Sequence, residues 1–502
     1  MWHLYQTHRT VTTLDDVTRL IVTVVRCPNP ACTHYHQPVR PEEEGAWVLP
    51  HGEFGLDVIA YIGALRYREH RSVPEIHQAL QDLHVAIAPR TVTYLLERYE
   101  ELLALRLADQ TRLKDCLMQQ GHVILAIDGL QPFKTQDMLW VLRDTLSGEV
   151  LLARSLDSAR QDDLAALLRE VKDALSVPIL AVVSDAQRPI RLAVQQVLPD
   201  VPHQLCQFHY LKEAAKPIVE ADRHAKTELK KYTRGVREIE RNMRARDEQE
   251  TKTIRGYCLA VRSALADEGK PPLQLGGLAM HERLNAIQAS LERVGQKGGF
   301  PDELVRLREL LATGLYATER LWEPLKTAQR WLLRAAELLA NEEQADAARV
   351  EGKYRALLEE ILKAKEDESV AAWATTFYKV SRSYWRGLFH CYDLPEVPRT
   401  NNDLEQYFGK ARHHERRATG HKSATSGLMV RGSVRVVAAV ATPLGAWRAE
   451  DLRPGNINAW RCLREQLEAR HEARRAARRF RRDPAKYLAQ LEEHLLHTGL
   501  LL

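Results

Sequence analysis

The sequence predicts a multidomain α+β protein, and three observations along its 502 residues support this fold class. Residues 119–212 contain short apolar runs of strand length, separated by turn residues and amphipathic segments. Residues 213–396 have helical periodicity almost throughout. The two ends differ from both patterns, because the first is rich in Cys, His and Pro and the last is rich in Arg.

Composition places the chain among soluble proteins, with 45% hydrophobic and 28% charged residues. No run approaches the roughly 18 consecutive apolar residues of a membrane helix. The start, "MWHLYQTHRT", lacks the order of a secretory signal. The seven cysteines are too scattered for a disulfide framework. We therefore expect a cytoplasmic protein with no membrane partner.

Residues 1–53 form a predicted zinc-knuckle-like segment. A β-type run from Leu20 to Val25 leads into Cys27 and Cys32, with the imidazoles of His34 and His36 just after. Two thiolates and nearby imidazoles among turn residues suit one tetrahedral Zn²⁺. Which histidine completes the set stays open, since His51 also follows. The alternative interpretation is two free thiols in a loop.

Residues 54–118 are predicted to form a helix-turn-helix domain. "FGLDVIAYIGALRYREH" is amphipathic, Ser72 is a predicted N-cap with Pro74 in the first turn, and Pro89 starts a longer third helix. The first residues of such a helix contact DNA bases or phosphates. The predicted contacts are Arg90, Thr91, Thr93 and Tyr94. An ordinary three-helix bundle is the alternative.

Residues 119–212 read as β-β-β-α-β-α-β. The predicted strands are "HVILAID", ending at Asp128, then "DMLWVLRD", "GEVLLARSL", "VPILAVVSD", ending at Asp185, and "PHQLCQFH". Continuous apolar runs of this kind are typical of strands buried on both faces. Three meandering strands followed by alternating helices and strands match a ribonuclease H-like core. Residues 213–396 then form an all-helical insertion, and 397–445 the second part of the core.

Three carboxylates stand apart from the surface ones: Asp128, Asp185 and Glu405, which falls in the first turns of a helix after "VPRTNN". The first two follow strands that are neighbours in this topology, and ligands bind near strand ends in open α/β sheets. Three convergent oxygen donors suit Mg²⁺. The alternatives are a turn role for Asp128 and an N-cap role for Asp185, while Asp403 is a rival to Glu405.

Cys206 and His209 form a Cys-x-x-His beside the second Asp. We interpret them as support for the site, a buried thiol and a histidine that bonds near the catalytic centre or a phosphate. Zinc binding is the alternative, and it needs two more ligands, such as His390 and Cys391.

With these motifs in order, the sequence resembles the DDE transposases of bacterial insertion sequences and is similar in layout to Mutator-type element transposases. The matching segments are "AIDG", "VVSDAQRPIRLAV", "HQLCQFHYLK" and "RTNNDLEQYFGKARHHERR". The resemblance implies a catalytic triad of Asp128, Asp185 and Glu405 that holds two Mg²⁺ or Mn²⁺ ions. It also implies cleavage and strand transfer of double-stranded DNA by a homodimer or larger assembly, near the nucleoid.

Two other functions compete with this interpretation. One is a ribonuclease H-like nuclease without strand transfer, and the other is a domesticated, inactive DNA-binding protein. The large helical insertion and the separate DNA-binding segment argue against the first, and the presence of all three acids argues against the second.

Basic residues near the acids and at the C-terminus predict contacts with DNA phosphates. Residues 461–482 hold nine arginines and three glutamates within the basic helical segment 446–502. The alternative is a solvated helix laced with ion pairs. The predicted phosphate contacts near the acids are Arg188, Arg191, Lys410, Arg412, Arg416 and Arg417.

Overall fold

A computed structural model describes residues 2–32, 35–130, 138–156, 158–241, 248–298, 301–420, 426–444 and 447–497, apart from a few side chains within those ranges. The chain divides into two compact units. Unit 1 comprises Met1–Val182, Arg188–Val201 and Asn402–Leu502, and unit 2 comprises Val183–Gln187 and Pro202–Asn401. The α+β multidomain class is confirmed, since one mixed sheet and two small sheets accompany many helices.

The first elements belong to unit 1, apart from the last two residues of β7. In chain order they are β1 (Trp2–Thr12), β2 (Val17–Arg26), β3 (Pro38–Val39), α1 (Glu44–Trp47), α2 (Leu56–Tyr67), α3 (Val73–Asp82), α4 (Pro89–Leu107), α5 (Gln110–Gln120), β4 (Val123–Leu130), β5 (Met138–Asp144), β6 (Val150–Leu156), α6 (Gln161–Ala174), β7 (Ile179–Ser184) and α7 (Arg188–Val197).

Unit 2 follows and is almost entirely helical, as its periodicity predicts. Its elements are β8 (His203–Leu205), α8 (Gln207–Tyr232), α9 (Val236–Arg241), α10 (Glu248–Ala266), β9 (Gly269–Lys270), β10 (Gln274–Leu275), α11 (Gly276–Gly295), α12 (Asp302–Thr318), α13 (Trp322–Ala340), α14 (Ala347–Lys363), α15 (Ala371–Tyr384) and α16 (His390–Asp393).

The chain then returns to unit 1, where the described residues form four more α-helices. These are α17 (Asn402–Thr419), α18 (Ser426–Leu444), α19 (Ile457–Arg482) and α20 (Pro484–His497).

The N-terminal segment is a three-stranded antiparallel sheet in the order β1-β2-β3. Its hairpin pairs Trp2 with Arg26 at one end and Thr12 with Val17 at the other. The β-type run predicted near Leu20 lies within β2. The sequence did not predict β1, because most of its residues are exposed and it lacks a buried apolar face to set a period of two.

The predicted three-helix segment is present as α2, α3 and α4, and its starts are set by local chemistry. The Ser72 hydroxyl accepts from the backbone of Glu75, while the Glu75 carboxylate accepts from the Ser72 N–H at 2.7 Å. This reciprocal pair satisfies two donors that a helix start leaves open. Pro89 opens α4 as predicted, because its fixed φ suits the first helical position.

The central sheet has the strand order β6-β5-β4-β7-β8, with antiparallel β4/β5 and β5/β6 pairs. The buried carboxylate of Asp144 accepts from the N–H groups of Ser147 at 2.8 Å and Ile124 at 3.0 Å. It therefore fixes the predicted "TLSG" turn between β5 and β6. Gly148 completes the turn with φ of +78°, a conformation that favours glycine.

Two predicted strand ends are wrong. β4 does not end at Asp128 but continues to Leu130, and Asp128 pairs with Val141 of β5. The strand predicted for "PHQLCQFH" is only His203–Leu205, and the residues after it start α8. A buried apolar run has no periodicity that distinguishes a strand from the start of a helix, so the predicted strand is longer than the observed one.

Unit 2 is built around the long helix α8, which packs against α11, α12, α13 and α15. Buried hydroxyls join three of its helices, because the Tyr210 hydroxyl lies 2.7 Å from those of both Tyr354 and Ser381. Among the helices that the structure describes, none is both long and apolar enough to cross a membrane.

Candidate functional site

Asp128 lies within β4, in unit 1, and its side chain is 9% exposed. One of its carboxylate oxygens accepts from the N–H of Gly129 at 2.8 Å. Ile127 before it is buried and Gly129 after it is half-buried, and β4 lies between β5 and β7 in the sheet. A carboxylate in this position is costly unless a hydrogen bond or a cation offsets its charge.

Asp185 directly follows β7 and belongs to unit 2, where it is 7% exposed. Its carboxylate accepts from the backbone N–H of Gln187 at 3.1 Å and from the side-chain amide of Gln187 at 2.7 Å. Burial raises the pKa of Asp185 despite these two bonds. His209 opposes the rise in pKa, and the carboxylate of Glu213 adds to it.

Cys206 is fully buried and is the residue before α8, so the predicted Cys-x-x-His lies at a helix start rather than on a strand. The N–H of Cys206 donates to the Ser184 carbonyl at 2.8 Å, which joins it to the end of β7. Its Sγ accepts from the backbone N–H of Asn401 at 3.3 Å. The N–H of Gln207 donates to the Arg399 carbonyl at 3.0 Å.

These bonds give the cysteine a structural role within unit 2. Through Cys206 they join Ser184, the residue before Asp185, to the chain segment that ends at Asn401. The next residue, Asn402, begins α17. The hydroxyl of Ser184 adds a second support, since it lies 2.7 Å from Nε2 of His203 and also donates to the backbone carbonyl of Asp185 at 2.6 Å.

Two further residues lie near Asp185, and the sequence motifs do not include them. Glu213 is exposed on α8 and follows His209 by four residues, so the helical spacing already places Cys206, His209 and Glu213 on one face. Tyr384 is buried at the end of α15, and burial together with Glu213, Asp185 and Cys206 raises its pKa far above the usual value. No sequence signal joins Tyr384 to this cluster.

Glu405 lies in the first turns of α17, as predicted from the turn residues before it. Its side chain, and that of the rival Asp403, lie outside the described residues. The described apolar side chains of Leu404, Phe408 and Ala418 are buried. The predicted phosphate contacts on this helix are all exposed: Lys410, Arg412, Arg416 and Arg417.

The remaining predicted DNA contacts lie on α4 and α7 of unit 1. Arg90 and Thr93 are exposed near the start of α4, and Thr91 is half-buried. Arg188 is exposed at the start of α7, and Arg191 is half-buried one turn later. The structure therefore leaves most of these cationic or hydroxyl groups accessible from solvent.

The predicted zinc residues lie around a turn that follows β2. The N–H of His36 donates to the Cys27 carbonyl at 3.1 Å, and that of Tyr35 to the Cys32 carbonyl at 3.0 Å. The fourth predicted ligand, His34, lies outside the described residues. Within the described part of the chain, no three His, Cys, Asp or Glu side chains form a group that could hold a metal ion.

The alternative zinc set that includes His390 and Cys391 also finds no such group among the described residues. Cys391 is buried, and its sulfur accepts from the side-chain amide of Gln207 at 3.5 Å. Burial raises its pKa to about 12, which disfavours the thiolate that zinc requires.

In comparisons with known proteins, no protein-family model matches the chain, and no curated protein matches it either.

Proposed function

We propose that the protein is a DDE-type DNA transposase that cleaves the ends of its element and transfers them to target DNA. The observation that carries the proposal is the strand order β6-β5-β4-β7-β8, with one acid within β4 and one directly after its neighbour β7. Asp128 lies on β4 and Asp185 directly follows β7. A ribonuclease H-like core uses this arrangement of strands to present carboxylates to divalent ions.

The chemistry of the two described acids fits Mg²⁺ or Mn²⁺. Both are hard oxygen donors that are at least nine-tenths buried, and burial raises the pKa of Asp185, so a divalent ion would stabilise its ionised form. Asp128, Asp185 and Glu405 would hold the ions. When bound, two such ions activate an attacking oxygen and stabilise the leaving oxygen of a phosphodiester.

The surrounding residues support Asp185 without entering the reaction. Gln187 orients its carboxylate with two hydrogen bonds, and Cys206 ties the neighbouring backbone to Asn401. The exposed Lys and Arg side chains of α17 suit the phosphates on either side of a scissile bond. Two DNA ends must be joined, so we propose that a dimer or larger assembly acts, in the cytoplasm and on the nucleoid.

The test is a cleavage and strand-transfer assay. Its substrate is a labelled duplex that carries the inverted repeats flanking the gene, incubated with and without Mg²⁺. We expect wild-type protein to nick the duplex at the repeat end and to join it to a target plasmid, and we expect EDTA to stop both steps. Asp185→Asn should be inactive, because the amide does not replace a carboxylate ligand.

Asp200→Asn is the matched control, since Asp200 is an exposed acid outside the site. Equal activity of the Asp185 variant and wild type contradicts the proposed site. Cleavage without strand transfer favours a nuclease of the same fold, and metal-independent DNA binding without cleavage favours an inactive DNA-binding protein.

A further inference from the structure

A cleft of 710 Å³ in unit 1 is lined by two segments that are far apart in the sequence and that were each predicted to contact DNA. One wall is the start of α4, with Arg90, Thr93 and Tyr94, and the other is α19. The α19 wall carries Arg461, Arg464 and Arg475, which lie on one face because their spacing follows the helical repeat. The start of α4, the third helix of the predicted helix-turn-helix, and the Arg-rich helix α19 therefore line the same cleft.

A buried guanidinium with unused donors lines the cleft. Arg98 of α4 is 5% exposed and lines the cavity. Its Nη2 pairs with a carboxylate oxygen of Glu101 at 3.1 Å, but its Nε and Nη1 have no hydrogen-bond partner in the described structure. A buried guanidinium nitrogen without an acceptor is costly, and an anion in the cleft would supply acceptors.

Six arginines and four glutamates line the cleft, so its net charge favours an anion. Burial lowers the pKa of Arg98, and the neighbouring guanidinium groups of Arg464 and Arg431 lower it further, while Glu101 opposes them. The ring of Tyr94 lies 4.5 Å from the Arg98 guanidinium carbon and is 48% exposed, so it leaves an open aromatic edge at the cleft.

The shape of the basic surface indicates a polymer rather than a small anion. α19 has 26 residues, about 39 Å in length, and its arginines continue past the cleft to Arg482. A small anion needs only the unused donors of Arg98. A DNA backbone, with one phosphate charge every ~1.7 Å of duplex, would use the whole length of the helix.

We propose that this cleft binds a backbone phosphate of duplex DNA, so that α4 and α19 act as one DNA-binding surface. The inference rests on the proposed function for the identity of the partner, but it adds a site and a set of residues. Arg90, Arg461, Arg464 and Arg475 contact the backbone, and Arg98 orients the phosphate that enters.

The test measures the salt dependence of binding to a fluorescein-labelled 30-base-pair duplex of arbitrary sequence. Fluorescence anisotropy is followed for the full-length protein between 50 and 300 mM KCl. The cleft variant is Arg90→Gln with Arg475→Gln. The control, Lys114→Gln with Arg169→Gln, removes the same charge from exposed positions of unit 1 outside the cleft.

Each lost phosphate contact lowers the slope of log affinity against log salt by about 0.9. We therefore expect the cleft variant to lose nearly two units of slope and about 60-fold in affinity at 0.1 M KCl. The control should keep the wild-type slope. Glu465→Gln, which removes a negative charge from the cleft wall, should bind more tightly than wild type.

Equal losses in the cleft variant and the control overturn the inference, and so does a cleft variant with the wild-type slope. In both cases the proposed function stands if wild-type protein still cleaves and transfers DNA. Failure of the wild-type protein to bind the duplex at any salt concentration overturns the inference, and the cleavage and strand-transfer assay on the inverted repeats then decides the proposed function separately. Circular dichroism of each variant checks that the fold is retained.

Discussion

Glu100 gives the sharpest test of what holds unit 1 together. It is fully buried on α4, and its carboxylate accepts from Arg431 at 2.8 Å, from Arg435 at 3.0 Å and from the Tyr67 hydroxyl at 2.5 Å. Burial alone would raise its pKa, but the two arginines and these hydrogen bonds lower it to about 2. The network joins α2, α4 and α18.

The magnitude follows from the pKa. The folded value of about 2 lies below the ordinary value of 4.5, and each pKa unit corresponds to about 1.4 kcal/mol, so ionised Glu100 contributes about 3 kcal/mol to the stability of unit 1. Because the folded pKa is the lower one, this contribution is present above about pH 5. It is lost as the pH falls from about 5 to about 2.

We expect Glu100→Gln to destabilise unit 1 by about 3 to 5 kcal/mol at pH 7, because it leaves Arg431 and Arg435 buried without this carboxylate. The assay is hydrogen exchange with mass spectrometry on peptides from α4 and α18, where protection should fall by at least about 100-fold. Glu97→Gln is the control, since Glu97 is 35% exposed and lies 3.7 Å from its partner Arg98. Its effect should stay within about 0.5 kcal/mol.

If Glu100→Gln changes the protection of α4 no more than Glu97→Gln does, the Glu100 carboxylate does not stabilise unit 1. A second check uses acid. Between pH 5 and pH 3 the wild type should lose more stability than the Glu100 variant, because the variant has no carboxylate to protonate.

Two further predictions concern packing and the support of Asp185. Gly63→Ala in α2 should lower the free energy of unfolding, measured by heat or urea, by about 3 kcal/mol or more, because a Cβ there would lie 2.2 Å from the Tyr99 ring. The control is Gly352→Ala in α14, where a Cβ meets nothing within 4 Å. This substitution should stabilise its helix by up to about 1 kcal/mol. Equal effects of the two substitutions would refute the overlap at Tyr99. Cys206→Ala should lower the hydrogen-exchange protection of the Asn401 amide by about fivefold, which corresponds to about 1 kcal/mol, because it removes the sulfur acceptor. Cys206→Ser keeps an acceptor and should retain most of the wild-type protection. An unchanged amide in the alanine variant would mean that the sulfur does not hold this segment.

Local signals in the sequence sufficed for most elements. The Ser72 N-cap, the Pro89 helix start and the succession of strands along the chain from β4 to β7 were all predicted, because each depends on residues within a few positions of one another. The same locality explains the errors at strand ends. The extent of β4 depends on its partner β5, and the start of α8 after Cys206 depends on the end of β7.

The sequence by itself determined the α+β class, the helical middle of the chain and the candidate acids, since periodicity and turn chemistry specify backbone conformation directly. Only the tertiary structure decided which side chains meet. Tyr384 reaches Glu213 and Asp185 from far along the chain, and Arg98 of α4 shares a cleft with Arg475 of α19. No local pattern encodes such neighbours, because they depend on the path of the whole chain, which the burial of its apolar surface determines.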